Sequence, residues 1–230
     1  MLKSLNKTKK KILLASIGLF NERGIFNVLN QEIAEASGIG LSNFNYHFPT
    51  KKDLVLFVCR YMRYILDKRI SENKLLINDS IPLEVAIIYL EFEMEFKFFY
   101  LDTHNILKSY ETLHKEMEFQ IHEAVQLIKN IIYVGVGKGD MIHGPGIVEN
   151  TYEELSSQIW MTCHFWYAQS HFKHEKENII IKGLNACYGL LAPYLTPKGV
   201  RRYKDYINKN EKYYLHIHAV YNADWFLFLF

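Results

Sequence analysis

NQEIAEASGIGLSNFNYHFPTKKD, residues 30–53, divides into two short helical pieces, a turn between them and the start of a third helix. In the first piece Ile33, Ala34 and Ser37 fall at i, i+1 and i+4, a compact edge for burial. Gly38-Ile39-Gly40 follows, and glycine takes the positive φ that a tight turn between helices demands. The second piece, Leu41 to Phe48, buries Phe44 and Phe48 at i and i+4 and turns Ser42, Asn43, Asn45 and Tyr46 outward. Pro49 ends it, because the residue before a proline avoids the α region. Thr50 with Asp53 three positions on makes a capping box for the next helix.

Two short helices around a small-residue turn form a helix-turn-helix, whose second helix fits the DNA major groove. The stretch resembles the TetR/AcrR family of bacterial transcriptional regulators. The resemblance rests on Ile12, Ala15, Leu19, Phe20 and Gly24, then Ile33 to Ile39, then Tyr46 to Leu54, and is strong over about residues 9–54. Further on it rests on helical layout and on Pro193 to Gly199. It implies an all-α chain. A three-helix DNA-binding head, residues 1–53, would precede a larger helical bundle, residues 54–230, for effector binding and dimerisation.

The resemblance also implies which residues meet DNA. The family carries a hydroxyl just ahead of its second helix; this sequence departs from it with Val28 and Leu29 there. Asn30, the next residue, is read as the helix's N-cap and placed in the DNA-binding set, with the exact phosphate contact left open. Ser42, Asn43 and Asn45 are the base-reading set, since asparagine pairs bidentately with adenine, while Leu41 suits a thymine methyl. Tyr46, His47 and Lys51 match positions that hold the DNA backbone.

Net charge is only +2, but residues 1–52 carry eight Lys/Arg against three Glu, which leaves the rest slightly acidic. Lys7, Lys9, Lys10 and Lys11 open the first helix, about Lys7 to Arg23, where positive charge opposes the helix dipole. A phosphate partner accounts for them better than helix stability does. The start imitates a secretory signal, yet Asn21-Glu22-Arg23 cut its apolar run and no small-x-small cleavage pattern follows. No stretch approaches the roughly 20 apolar residues of a membrane span. Cys59, Cys163 and Cys187 are odd in number and lie in apolar helical patterns, so they read as reduced core thiols of a cytoplasmic protein.

The fourth helix, Lys51 to about residue 73, keeps Leu54, Phe57, Val58, Tyr61, Ile65 and Leu66 on one face. Asn78-Asp79-Ser80 and Pro82 mark a break. Val85, Ile88, Phe92, Phe96 and Phe99 then share a helical face, with Glu84, Glu91 and Glu95 expected opposite. A short piece, Asp102 to Ser109, precedes a long helix ending in the glycines 135–139, a cap and turn more than a phosphate loop, since no strand comes before it.

In the helix Thr151 to Phe172, Leu155, Ile159, Thr162 and Trp166 form one stripe and Trp160, His164, Tyr167 and His171 another. In the next, Glu177 to Tyr194, Gly183, Ala186 and Gly189 would let another helix approach closely. The two helices are candidates for a four-helix interface with a second copy, or for an ordinary core. The tail after Gly199 reads as a helix over Arg201 to Lys212 with an apolar end, or as an extension.

No nucleophile elbow, dinucleotide turn or HExxH motif occurs, and His164, His171 and His174 lack a joining carboxylate or cysteine, so neither metal, cofactor nor enzyme is expected. The partners expected are double-stranded DNA, a second copy and a small effector, with no membrane. Phe92, Phe96, Phe99, Tyr110, Phe119, Trp160 and Trp166, with no inward carboxylate among them, either fill a core or line a pocket for a largely apolar effector. The expected function is a repressor released from a palindromic operator by that effector. A helical-bundle enzyme, or a DNA-binding module under a protein partner, is the alternative.

Overall fold

Lys7–Arg23 form α1, capped by the Asn6 side chain, whose Oδ1 accepts from the Lys9 N–H at 2.7 Å. It stops at Gly24, where φ is +78°. A computed structural model describes residues 6–74, 80–143, 150–175 and 177–221. After α1 come α2 (Asn30–Ala36), α3 (Leu41–His47), α4 (Lys51–Lys74), α5 (Pro82–Glu95), α6 (Lys97–Leu101) and α7 (Thr103–Ser109). Then follow α8 (Glu111–Gly137), α9 (Thr151–Phe172), α10 (Ile179–Leu191) and α11 (Pro197–Tyr221). Among the described residues there is no strand, only one isolated bridge, Met141 to Leu195.

The chain divides into two compact units. The first holds residues 1–69 and 96–118. Its core is Ile12, Leu13, Phe20, Ile33, Phe44, Leu54, Val58 and Tyr61, all almost wholly buried. Phe98 of α6 meets the edge of Phe20 at 5.6 Å between centroids, and its N–H donates to Asn21 Oδ1 at 3.1 Å. Phe96 is a break residue between α5 and α6, not part of one continuous helix as its spacing suggested.

The second unit holds residues 70–95 and 119–230, with α5, α9 and α10 packed most closely. α5 is buried nearly all round, and this corrects the expected polar face: Glu93 is 0% and Glu95 4% exposed. Gly183 is the second correction. A Cβ there would lie 2.7 Å from Leu90 Cδ2 and 2.8 Å from Trp166 Cδ1. The close approach therefore serves α5 and α9 of the same chain, while Gly189 faces open space.

Residues 193–199 owe their pattern to a clasp between the end of α8 and the start of α11. The Thr196 N–H donates to the Asp140 carbonyl at 3.0 Å, and its hydroxyl donates to the Gly139 carbonyl at 2.7 Å. Asp140, fully buried, accepts from Arg202 and pairs with Lys198 at 3.2 Å. A Cβ on Gly199 would fall 1.9 Å from the Asp140 carbonyl oxygen, so only glycine fits. α11 runs well beyond the expected Arg201 to Lys212. The apolar end at 225–230, like Asn78-Asp79 and residues 144–146, lies outside the described residues.

Candidate functional site

The turn between α2 and α3 closes as a Schellman motif. The Ile39 N–H reaches the Ala34 carbonyl at 3.1 Å and the Gly38 N–H the Glu35 carbonyl at 2.9 Å, with Gly38 at φ +68°. Ser37, expected in the core, is buried and donates its hydroxyl to the Ile33 carbonyl at 2.6 Å. Beyond the turn, Phe44 and Phe48 are buried, with rings 6.0 Å apart, and Phe48 meets Phe57 of α4 at 5.1 Å. Fully burying a phenylalanine contributes about 1.5–3 kcal/mol. These two rings therefore fix the rotation of α3 about its own axis, and Leu41, Ser42, Asn43, Asn45 and Tyr46 are left on its exposed side. Tyr46 is 83% exposed and stands edge-on to His47 at 5.3 Å.

At the start of α2 the structure corrects the expected cap. Leu29, not Asn30, is the N-cap residue, and the Glu32 carboxylate reaches back to accept from its N–H at 2.7 Å. The same carboxylate pairs with Arg23 at 2.7 Å and so ties the end of α1 to α2. Those two donors hold the Glu32 pKa below its ordinary value, the Leu29 N–H foremost. Asn30 becomes the first helical residue, half-buried, and its Oδ1 has no hydrogen-bond partner among the described residues.

Lys51 is turned towards the protein. Its ammonium donates to the Val28 carbonyl at 2.6 Å and lies 4.7 Å over the Phe20 ring. Partial burial draws its pKa down to about 8, against the opposing pull of Glu32. Lys9 sits 5.8 Å over the Phe48 ring, while Lys7, Lys10 and Lys11 are exposed. The capping box of α4 forms as read: Thr50 Oγ1 accepts from the Asp53 N–H, and Asp53 Oδ2 from the Thr50 N–H, both at 3.1 Å.

The aromatic set in the body is divided between the two units. Phe96, Phe99 and Tyr110 lie in the first unit, and Phe92, Phe119, Trp160 and Trp166 in the second. Phe119 is 60% exposed. Trp160 stacks on His164 at 4.6 Å, and the Trp166 indole N–H donates to the Ile179 carbonyl at 2.8 Å. Burial lowers the His164 pKa to about 4. Glu93, which with Glu91 and Glu95 makes only a poor acid/base pair in the sequence and is not among the expected site residues, accepts from the Tyr167 backbone N–H at 3.1 Å. The only signal in the sequence was a charged residue in an otherwise apolar run.

Two family models match. Residues 12–58 fit the one described as bacterial regulatory proteins, tetR family, and residues 70–203 fit a bacterial transcriptional repressor model, TetR. The HTH-type transcriptional regulator RutR of Escherichia coli K12 is 30% identical over 93 residues, 40% of this chain and 42% of RutR. The matched stretch thus spans less than half of that relative. A TetR-family regulator from Marinobacter aquaeolei superposes with a TM-score of 0.74 at 25% identity, over 89% of this chain and 98% of that one. A TetR regulator from Haloarcula marismortui gives 0.63 at 14% identity, over 84% and 100%, a likeness of fold.

Proposed function

This chain belongs to the TetR family of bacterial transcriptional regulators, and we propose that it acts as a dimeric repressor, released from a near-palindromic operator by a small, largely apolar effector. In this reading residues 1–53 bind DNA and residues 54–230 bind the effector and a second copy. The observation that carries it is α3, whose Ser42, Asn43 and Asn45 stand exposed on a helix locked by Phe44 and Phe48. Asn43 and Asn45 read adenine, Ser42 contacts an adjacent base edge and Leu41 a thymine methyl. Tyr46, His47 and Asn30 hold the backbone. Lys51 acts chiefly by holding the segment before α2 in place through Val28, and the exposed Lys10 and Lys11 supply the long-range attraction to phosphate.

Exposed Met161, Phe165 and Phe172 on α9 support a second copy as partner, since large apolar side chains in a row on one helix are unusual on a monomer. The proposed effector contacts are Phe92, Trp160 and Trp166, which share a unit. Release requires the effector to bind the DNA-free state more tightly than the DNA-bound one. α4, which supplies residues to both units, is the element through which that preference would reach α3.

Selection of bound DNA from a random pool tests the reading. It should enrich a near-palindrome with half-sites about one helical turn, or a multiple, apart. Enrichment of no sequence, or of a single unrepeated site, would refute it.

A further inference from the structure

Glu93 is 0% exposed at the junction of α5, α9 and α10. One carboxyl oxygen, Oε2, accepts the Tyr167 backbone N–H at 3.1 Å, and the other, Oε1, has no hydrogen-bond partner among the described residues. Two buried thiols feel its charge, Cys163 and Cys187, whose sulfurs are 3.6 Å apart. No cation pairs with it in any described contact. Burial holds the carboxyl well above its ordinary pKa.

A carboxyl in such a place is a poor element of stability. Removing it from water without a full set of partners is unfavourable, and an apolar side chain of similar shape would serve the packing better. What it offers instead is a buried oxygen that no described hydrogen bond occupies. That oxygen is the complement of an N–H donor.

We propose that Glu93 is the polar anchor of the effector, which is therefore an amine or amidine on an apolar body, its N–H donating to Oε1. The inference rests on the body being an effector site. It changes the chemistry expected from the aromatic residues alone, which favoured no charge at all. An ammonium group arriving at Glu93 displaces the carboxyl proton to solvent and leaves a charge-assisted pair, stronger than a neutral hydrogen bond. The Tyr167 N–H keeps its acceptor throughout.

Calorimetric titration of the full chain with matched naphthalene and anthracene probes tests this. Each ring system carries a primary aminomethyl, a hydroxymethyl or a trimethylammoniomethyl group. The aminomethyl probes should bind about tenfold or more tightly than either analogue, because only they bring both N–H and charge. Glu93→Gln, which retains an acceptor for Tyr167, should remove that preference and leave the alcohols within about twofold. Thermal unfolding of the same variant, unchanged or raised, shows that the loss is not one of folding. Equal binding of all three heads to wild type, or an amine preference that survives Glu93→Gln, overturns the anchor and leaves the effector reading standing. An amine preference lost in Glu93→Gln, but without release of operator DNA, keeps the anchor and overturns the effector reading. Binding of none of the probes overturns both.

Discussion

Asn43 and Asn45 stand two residues apart on an exposed helix, with the wholly buried Phe44 between them. Phe44→Ala should destabilise the first unit by about 3–5 kcal/mol and abolish DNA binding through unfolding, visible in a thermal melt. Lys51 shows what residue type alone leaves open. The sequence locates a lysine at the first turn of α4, but the direction of its long side chain depends on Val28, 23 positions away. Glu93 was missed for a similar reason, since a glutamate flanked by Glu91 and Glu95 reads as a solvated face until its helix is enclosed.

His164 yields a pH prediction. Its folded pKa, about 4, lies below the ordinary 6.5, because burial disfavours the imidazolium. Between these values the unfolded chain binds more protons, so this contribution is complete above pH 6.5 and is lost as pH falls towards 4. Denaturant titrations across that range should show His164→Gln losing less stability on acidification than wild type. Parallel curves would refute the assignment.

At the scale of elements, α1 and α9 have the bounds expected from the sequence; α1 begins at the Asn6 cap and ends at Gly24, whereas α9 has no side-chain cap at its start. α2 does not begin as expected, since Glu32 replaced the hydroxyl cap from three positions along the chain. The spacing of Gly183, Ala186 and Gly189 announced a close helix contact, but spacing does not say which helix comes close. Leu90 and Trp166 fill that place, and nothing local to α10 could have named them. The Pro193 to Gly199 run was legible only as a resemblance, and its physical reason is the clasp on Asp140. Gly199→Ala should lower stability by about 1–3 kcal/mol, a fall in melting temperature of several degrees. A melt indistinguishable from wild type would remove the clasp from the account.

For the whole molecule, the all-α architecture was legible because almost every apolar run carries the 3.6-residue period. Assembly is a separate matter, and its best support is the exposed Met161, Phe165 and Phe172. Phe165→Glu should place a charge in the proposed contact between copies without disturbing a core, as Phe165 is 52% exposed. Light scattering should then report a monomer with an unchanged melt of the first unit, and binding to the palindrome should weaken sharply. A dimer of undisturbed mass would exclude this face.

The central claim, that α3 reads base sequence, is tested most directly by one comparison. Wild type, Asn43→Ala and Asn45→Ala are each titrated against the selected operator and against its single-base-pair substitutions. The account predicts that each variant loses discrimination at its own symmetric pair of positions, by about 1–3 kcal/mol, and keeps it elsewhere. An equal loss of affinity on every DNA, with discrimination intact, would contradict it.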